Sequence, residues 1–288
     1  MSRFRGSPAD TQQLPLDGMP MRLLSCTPTS LLTFDACPRR FRLTYVDRPP
    51  APKGPPWAHN SLGAGVHNAL RAWWAEPLAR RTPARAGALV AAYWLREGWR
   101  DDQQSERWRL RAQQMVEEYV AALDPEDAPL ALERQVALRT AQLAVSGRID
   151  RLDLRDGALV IVDYKTGRRW LTDEDARDSL PLALYAVAAA RSYRRDCRRV
   201  ELHHLPSGRV LSWEHDEAGL ARHLGRAERI AGAIVSAEQA LAAGVEANEV
   251  YPPRPGPRCS WCDVRRHCSQ GQAAAPRREP WDALGELP

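Results

Sequence analysis

Residues 147–167 read GRIDRLDLRDGALVIVDYKTG, and this stretch decides the fold. Asp156-Gly157 between two apolar-patterned runs is the preferred two-residue hairpin turn. Pairing outward from that turn sets Asp150 directly opposite Asp163, on one face, with Cβ atoms about 5 Å apart. Lys165, two residues beyond Asp163, shares that face. Facing carboxylates repel unless a cation, a proton or solvent separates them. Two acidic oxygen donors beside a cationic side chain suit Mg²⁺ or Mn²⁺. A solvated hairpin end would carry the same residues, so the hairpin alone leaves both readings open. Leu152, Leu154, Leu159 and Ile161 fall on the carboxylate face, which puts the acidic pair at the margin of a buried sheet.

Working outward, period-two patterning predicts strands over Leu132–Thr140, Leu143–Leu154 and Leu159–Tyr164. A helix follows at about 178–194, then a hairpin of Val200–Leu205 and Val210–Trp213 turned at Ser207-Gly208. Asp216 caps a long helix that Gly244 closes. Upstream, Thr27-Pro28 opens a short helix. The stretch Pro49–Pro56 holds five prolines and reads as a linker. Ser61 to about Leu123 is helical, and six of the ten Trp residues fall between residues 57 and 108. They read as helix-packing core rather than a base-stacking surface. The expected organisation is a flexible leader over 1–24, a helical region over 25–125, a core over 126–250, a Cys-rich segment over 251–270 and a disordered tail over 271–288.

The composition, 44% hydrophobic and 27% charged over 288 residues, is that of a globular chain. A net charge of +5 makes a polyanionic partner plausible without identifying it. The only lysines are Lys53 and Lys165, so 39 of the 41 basic residues are Arg. No apolar run is long enough for a bilayer and no secretory signal is present, which points to the cytoplasm. In that compartment six cysteines serve as ligands, nucleophiles or core residues rather than disulfides. Cys259-x2-Cys262-x5-Cys268 is tight enough to surround one soft metal centre, with Cys37 as the best fourth donor 222 residues upstream. By spacing alone, zinc and an iron–sulfur cluster serve equally. Cys26 and Cys197 read as core cysteines.

Gly147-Arg148-Ile149-Asp150 followed by Val162-Asp163-Tyr164-Lys165-Thr166-Gly167 resembles the PD-(D/E)XK nuclease superfamily. More closely, it is similar to the RecB-like branch, which includes CRISPR-adaptation nucleases and AddB-type nuclease domains. The resemblance covers about residues 25–270. It implies an α/β fold with a restriction-endonuclease-like core, a mixed central sheet flanked by helices, with an N-terminal helical insertion. It implies that Asp150, Asp163 and Lys165 are catalytic. The implied Mg²⁺ or Mn²⁺ ligands are Asp150, Asp163, the backbone carbonyl of Tyr164 and His67. His67 stands in the Gly63-Ala64-Gly65-Val66-His67 context, expected just ahead of an amphipathic helix. Glu133 and Tyr185 are implied substrate contacts, although Pro181 stands where the family's Q-x-x-x-Y motif has Gln. The resemblance also decides between the soft-metal alternatives: it implies a [4Fe–4S] cluster on Cys37, Cys259, Cys262 and Cys268, a staple across the sheet.

The implied activity is metal-dependent hydrolysis of DNA phosphodiester bonds on single strands or ends, in repair or recombination. Arg39, Arg40, Arg148 and Arg168 are candidates for tracking backbone phosphates. A helicase is a possible partner, since the chain has no Walker A sequence and is not itself a motor. Two alternatives stand beside this reading: a non-catalytic DNA-binding scaffold subunit carrying the cluster, and a nuclease of CRISPR adaptation.

Overall fold

Asp156 and Gly157 both take positive φ, +49° and +82°, as the right-handed twist of the flanking strands requires of a two-residue turn. They join β3 (Leu143–Arg155) to β4 (Ala158–Lys165). The ladder runs from Arg155–Ala158 to Arg151–Val162 in the expected register, and Asp150 and Asp163 are the next positions along. The computed structural model describes residues 23–285. The expected leader therefore lies outside the described residues, apart from its last two positions.

Six strands form one mixed sheet. β1 (Leu24–Cys26) runs parallel to β3, and β2 (Ala131–Arg139) runs antiparallel to it. β4 pairs in parallel with β5 (Arg199–His204), and β5 pairs antiparallel with β6 (Arg209–Glu214). β2 covers one edge of β3 over residues 144–152. The other edge is divided: β1 takes residues 143–145 and β4 takes 151–155. Residues 146–150 lie between these two pairings, and the site opens there.

Two helical layers cover the sheet. α1 (Pro28–Ala36), α7 (Leu180–Tyr193) and α8 (Glu217–Ala242) pack on one face around Leu143, Leu152, Leu159 and Ile161. α1 begins at Thr27, whose hydroxyl accepts the Ser30 N–H, with Pro28 at the first helical position. On the other face, α3 (Ala58–Trp74), α4 (Pro83–Ala92) and α5 (Asp102–Ala121) share a core with Val160, Val162 and Tyr164 of β4. Trp73, Trp74 and Trp108 are buried in it, as the core reading expects. No helix among the described residues is long and apolar enough to cross a membrane.

Two expectations change. Leu154 is 43% exposed rather than buried with its neighbours, because it lies beside the open hairpin turn. The tail expected to be disordered over 271–288 is packed as far as Gly285. It follows α2 (Pro38–Phe41), α6 (Asp173–Arg177) and α9 (Ala247–Val250) with a last helix, α10 (Ser269–Ala274). Leu284 is buried against the α3–α5 layer, and its carbonyl accepts a hydrogen bond from Arg168 (2.6 Å). Three widely spaced apolar residues (Ala275, Trp281, Leu284) hold this segment, too sparse a pattern to read as an element.

Candidate active site

Beyond the last β3–β4 pair, the Asp150 side chain takes over from the ladder. Its Oδ2 accepts the Tyr164 N–H at 3.3 Å. His67 reaches the same place from the opposite layer, with Nδ1 3.3 Å from Asp150 Oδ2 and Nε2 3.0 Å from the Tyr164 carbonyl oxygen. Burial works against a charge on His67, but the bond and charge of Asp150, the charge of Asp163 and the Tyr164 carbonyl outweigh it and raise its pKa. His67 sits in the middle of α3 rather than ahead of a helix. Gly63 and Gly65, read as a helix start, lie inside it: a Cβ at Gly65 would stand 3.4 Å from the Tyr93 carbonyl, and one at Gly63 3.5 Å from Thr166 Oγ1. Both glycines therefore lie against neighbouring groups at ordinary contact distance.

Glu133 completes the cluster by an unusual route. It lies opposite Asp150 in the β2–β3 register, between Leu132–Arg151 and Arg134–Ile149, yet its φ is +49°. Left-handed backbone at a residue with a Cβ costs about 1–3 kcal/mol and gathers at functional sites. Both strands change phase here. Ala131 and Val136 face one core while Leu132 faces the other, and Ile149 and Leu152 share a core while Arg151 lies 4.6 Å over Trp74 on the far side. The twist carries the Glu133 carboxylate to Asp150 and His67. These three are the one group of His, Cys, Asp or Glu among the described residues whose donor atoms all lie within 4.8 Å of one another. Glu133 thus belongs with the potential metal donors, not only with substrate contacts.

Asp163 points the other way along the same face. Lys165 Nζ is 2.6 Å from its Oδ2, but the angle makes no acceptable hydrogen bond and that buried oxygen is otherwise unpartnered. Burial raises the Asp163 pKa; Lys165 opposes this and the charge of Asp150 adds to it. Glu133 is likewise raised, first by burial. Crowded, desolvated carboxylates with an orphaned oxygen, one imidazole and one carbonyl form a donor set that fits Mg²⁺ or Mn²⁺.

The family model described as the PD-(D/E)XK nuclease superfamily matches residues 25–269. The chain belongs to the PD-(D/E)XK nuclease superfamily. No curated protein matches its sequence. Among solved structures, a candidate exonuclease from Eubacterium rectale is similar at 11% identity and a TM-score of 0.34, over 73% of this chain and 89% of its own.

Within this superfamily member, Tyr185 lies on α7 with its ring against Gly147. A Cβ at Gly147 would stand 2.3 Å from Tyr185 Cε1, so the glycine of the GRID stretch makes room for the ring. Gly147→Ala is expected to destabilise the fold by about 1–3 kcal/mol through overpacking. Tyr185→Ala should make the second change nearly neutral. Urea unfolding of both single variants and the double variant checks this; strictly additive losses would show that the ring is not the obstacle. Pro181, in the first turn of α7, lines a cavity of about 580 Å³ with Lys165.

Four of the cysteines lie where the two ends of the described chain meet. Cys37 separates α1 from α2, and its sulfur accepts the Arg254 N–H at 3.5 Å. Cys268 caps α10, accepting the Gly271 N–H at 3.4 Å. A Cβ at Gly271 would stand 3.5 Å from the sulfurs of both Cys259 and Cys268. Burial pushes the Cys262 thiol up, and Cys37 is near enough to add to that rise. No three of these sulfurs fall within 4.8 Å of one another, whereas tetrahedral zinc with bonds of about 2.3 Å would hold them about 3.8 Å apart. Polar contacts tie the same ends together: Arg39 to the Tyr251 carbonyl (3.3 Å), Arg40 to Asp263 (3.1 Å) and Trp57 Nε1 to Asp263 (2.8 Å). Cys26 and Cys197 stand apart in strand and core, their thiols pushed up by burial to about 11 and about 12.

The four arginines assigned to phosphate tracking are already engaged. Arg39 is buried, Arg40 pairs with Asp263, Arg148 with Glu133 (2.7 Å), and Arg168 with the Leu284 carbonyl.

Proposed function

We propose that the protein is a metal-dependent deoxyribonuclease acting on single strands or DNA ends, in repair or recombination. The convergence of His67, Glu133, Asp150, Asp163 and Lys165 where β3 and β4 part, in a chain of this superfamily, is the observation that carries the reading. His67, Asp150, Asp163, the Tyr164 carbonyl and Glu133 would hold Mg²⁺ or Mn²⁺. The ion supplies Lewis acidity toward a phosphoryl oxygen and lowers the pKa of an attacking water. Lys165, on its flexible stem, places a positive charge where negative charge gathers during displacement. Asp163 holds that ammonium in position. The Tyr164 N–H fixes the Asp150 carboxylate, and the packed α3 helix fixes His67.

Cys37, Cys259, Cys262 and Cys268 would hold a [4Fe–4S] cluster that staples the N-terminal helices to the segment after α9. The choice of a cubane over zinc rests on the RecB-like resemblance. The helicase partner and the cytoplasmic location remain part of this proposal.

Labelled single- and double-stranded DNA should be cut by anaerobically purified protein with Mg²⁺ or Mn²⁺ and left intact with EDTA. Binding without cleavage under every metal would favour the scaffold reading, which Pro181 in place of Gln supports. New-spacer trimming as the sole activity would favour CRISPR adaptation.

A further inference from the structure

The segment joining Lys165 to α6 carries Trp170, the most exposed large apolar side chain among the described residues at 65%. A single exposed aromatic is ordinary on a protein surface; its surroundings are not. The guanidinium of Arg209, on β6, lies 4.6 Å from the ring centroid, and the adjacent Val210 is also exposed. On either side of Trp170 stand the exposed Arg169 and the buried Leu171. They line the 580 Å³ cavity that also contains Lys165.

The cavity's walls indicate what it would take. Leu32, Leu171, Leu180, Pro181 and Leu202 make them largely apolar. Lys165, Arg169 and Arg226 are balanced there by Glu174, Asp175 and Asp178, and Arg169 already pairs with Asp175 at 2.7 Å. With equal numbers of formal charges of each sign along its lining, the cavity is no dedicated phosphate site, and its apolar walls suit the face of a nucleobase. Pro181 contributes wall where Gln would have offered a hydrogen bond.

We infer that Trp170 and this cavity form a base-stacking platform for unpaired nucleotides next to the cleaved phosphate, with single-stranded DNA as the substrate class. This rests on the nuclease reading above. One base enters the cavity beside Lys165, and a neighbour stacks on Trp170, whose ring Arg209 braces. Aromatic stacking is tolerant of sequence because every base has a π-face. A duplex cannot use the platform, since its bases are already stacked on one another.

The test is binding in EDTA, which separates recognition from hydrolysis. Fluorescence anisotropy compares labelled oligothymidylate with an abasic strand of the same length and backbone, and with a duplex. Wild-type protein should prefer the strand with bases by about tenfold. Trp170→Ala should lose about that factor on oligothymidylate, bind the two single strands alike and leave duplex affinity unchanged. Trp170→Phe should keep most of the preference. A Trp170→Ala protein that retains the wild-type preference for bases, or that weakens equally on duplex, overturns the platform. Base-dependent binding by a protein that never cuts would sink the hydrolytic reading and leave the platform standing. Cleavage with base-indifferent binding would do the reverse.

Discussion

Asp163→Ala and Lys165→Arg are each expected to lower metal-dependent DNA cleavage by about 10²–10³-fold or more, with the fold intact. Loss of one preorganised group that stabilises developing charge costs roughly that much. Asp163 is half-buried, and its buried, orphaned Oδ2 faces Lys165 at 2.6 Å. Removing its carboxylate therefore takes away a proposed metal donor and frees the ammonium at once. Lys165→Arg keeps the charge but changes its shape. A planar guanidinium is drawn into a two-pronged pair with Asp163, which occupies the oxygens a metal needs. Half of the Lys165 side chain is open to solvent, so the larger head should fit without disturbing the core. Single-turnover rates at saturating Mg²⁺, with circular dichroism and DNA binding as controls, decide the matter. Near-normal cleavage by either variant would remove that residue from the catalytic set.

Cys37→Ala is expected to strip iron and sulfide from about four of each per chain and to destabilise the protein by about 3–5 kcal/mol. The magnitude follows from loop closure. Cys37 and Cys259 lie far apart in sequence, and a covalent link across such a span restricts the unfolded chain most. Cys197→Ala, by contrast, should keep its iron and lose only packing, since Cys197 sits in the core away from the other four. Metal analysis and urea unfolding of both variants under anaerobic conditions check this pair. Stoichiometric zinc in wild-type protein, or iron retained in Cys37→Ala, would overturn the cluster.

Whether a feature could be read from the sequence depended on whether its cause was local. The Asp156-Gly157 turn needs two residues at positive φ, so two letters set the register of β3 and β4 and with it the Asp150–Asp163 face. Thr27-Pro28 and Asp216 marked helix starts for the same reason. Glu133 reads from the sequence as a strand residue and, by resemblance, a substrate contact; its place beside Asp150 and His67 does not show there, because its left-handed backbone and the phase change beside it arise from pairing with β3. A signal was present, since Leu132 and Val136 share parity yet face different cores, but it means nothing until both cores are known. The Gly63-Ala64-Gly65-Val66-His67 stretch reads as lying ahead of a helix, whereas α3 runs straight through it. Arg40, Arg148 and Arg168 gave no usable signal, since their partners, Asp263, Glu133 and the Leu284 carbonyl, are brought near only by the fold.

His67 stands on the helical layer, while Asp150, Glu133 and Tyr164 stand on the sheet. The proposed active centre is therefore a seam rather than a property of either part. Cutting the chain near residue 125 would leave a strand-rich piece that keeps Glu133, Asp150 and Asp163 but lacks His67, and a helical piece whose Trp73 and Trp74 had lost the β4 residues they pack with. The smallest unit that an engineer could transplant into another protein is thus nearly the whole chain. The helices before the sheet are as much part of the catalytic module as the hairpin that first revealed it.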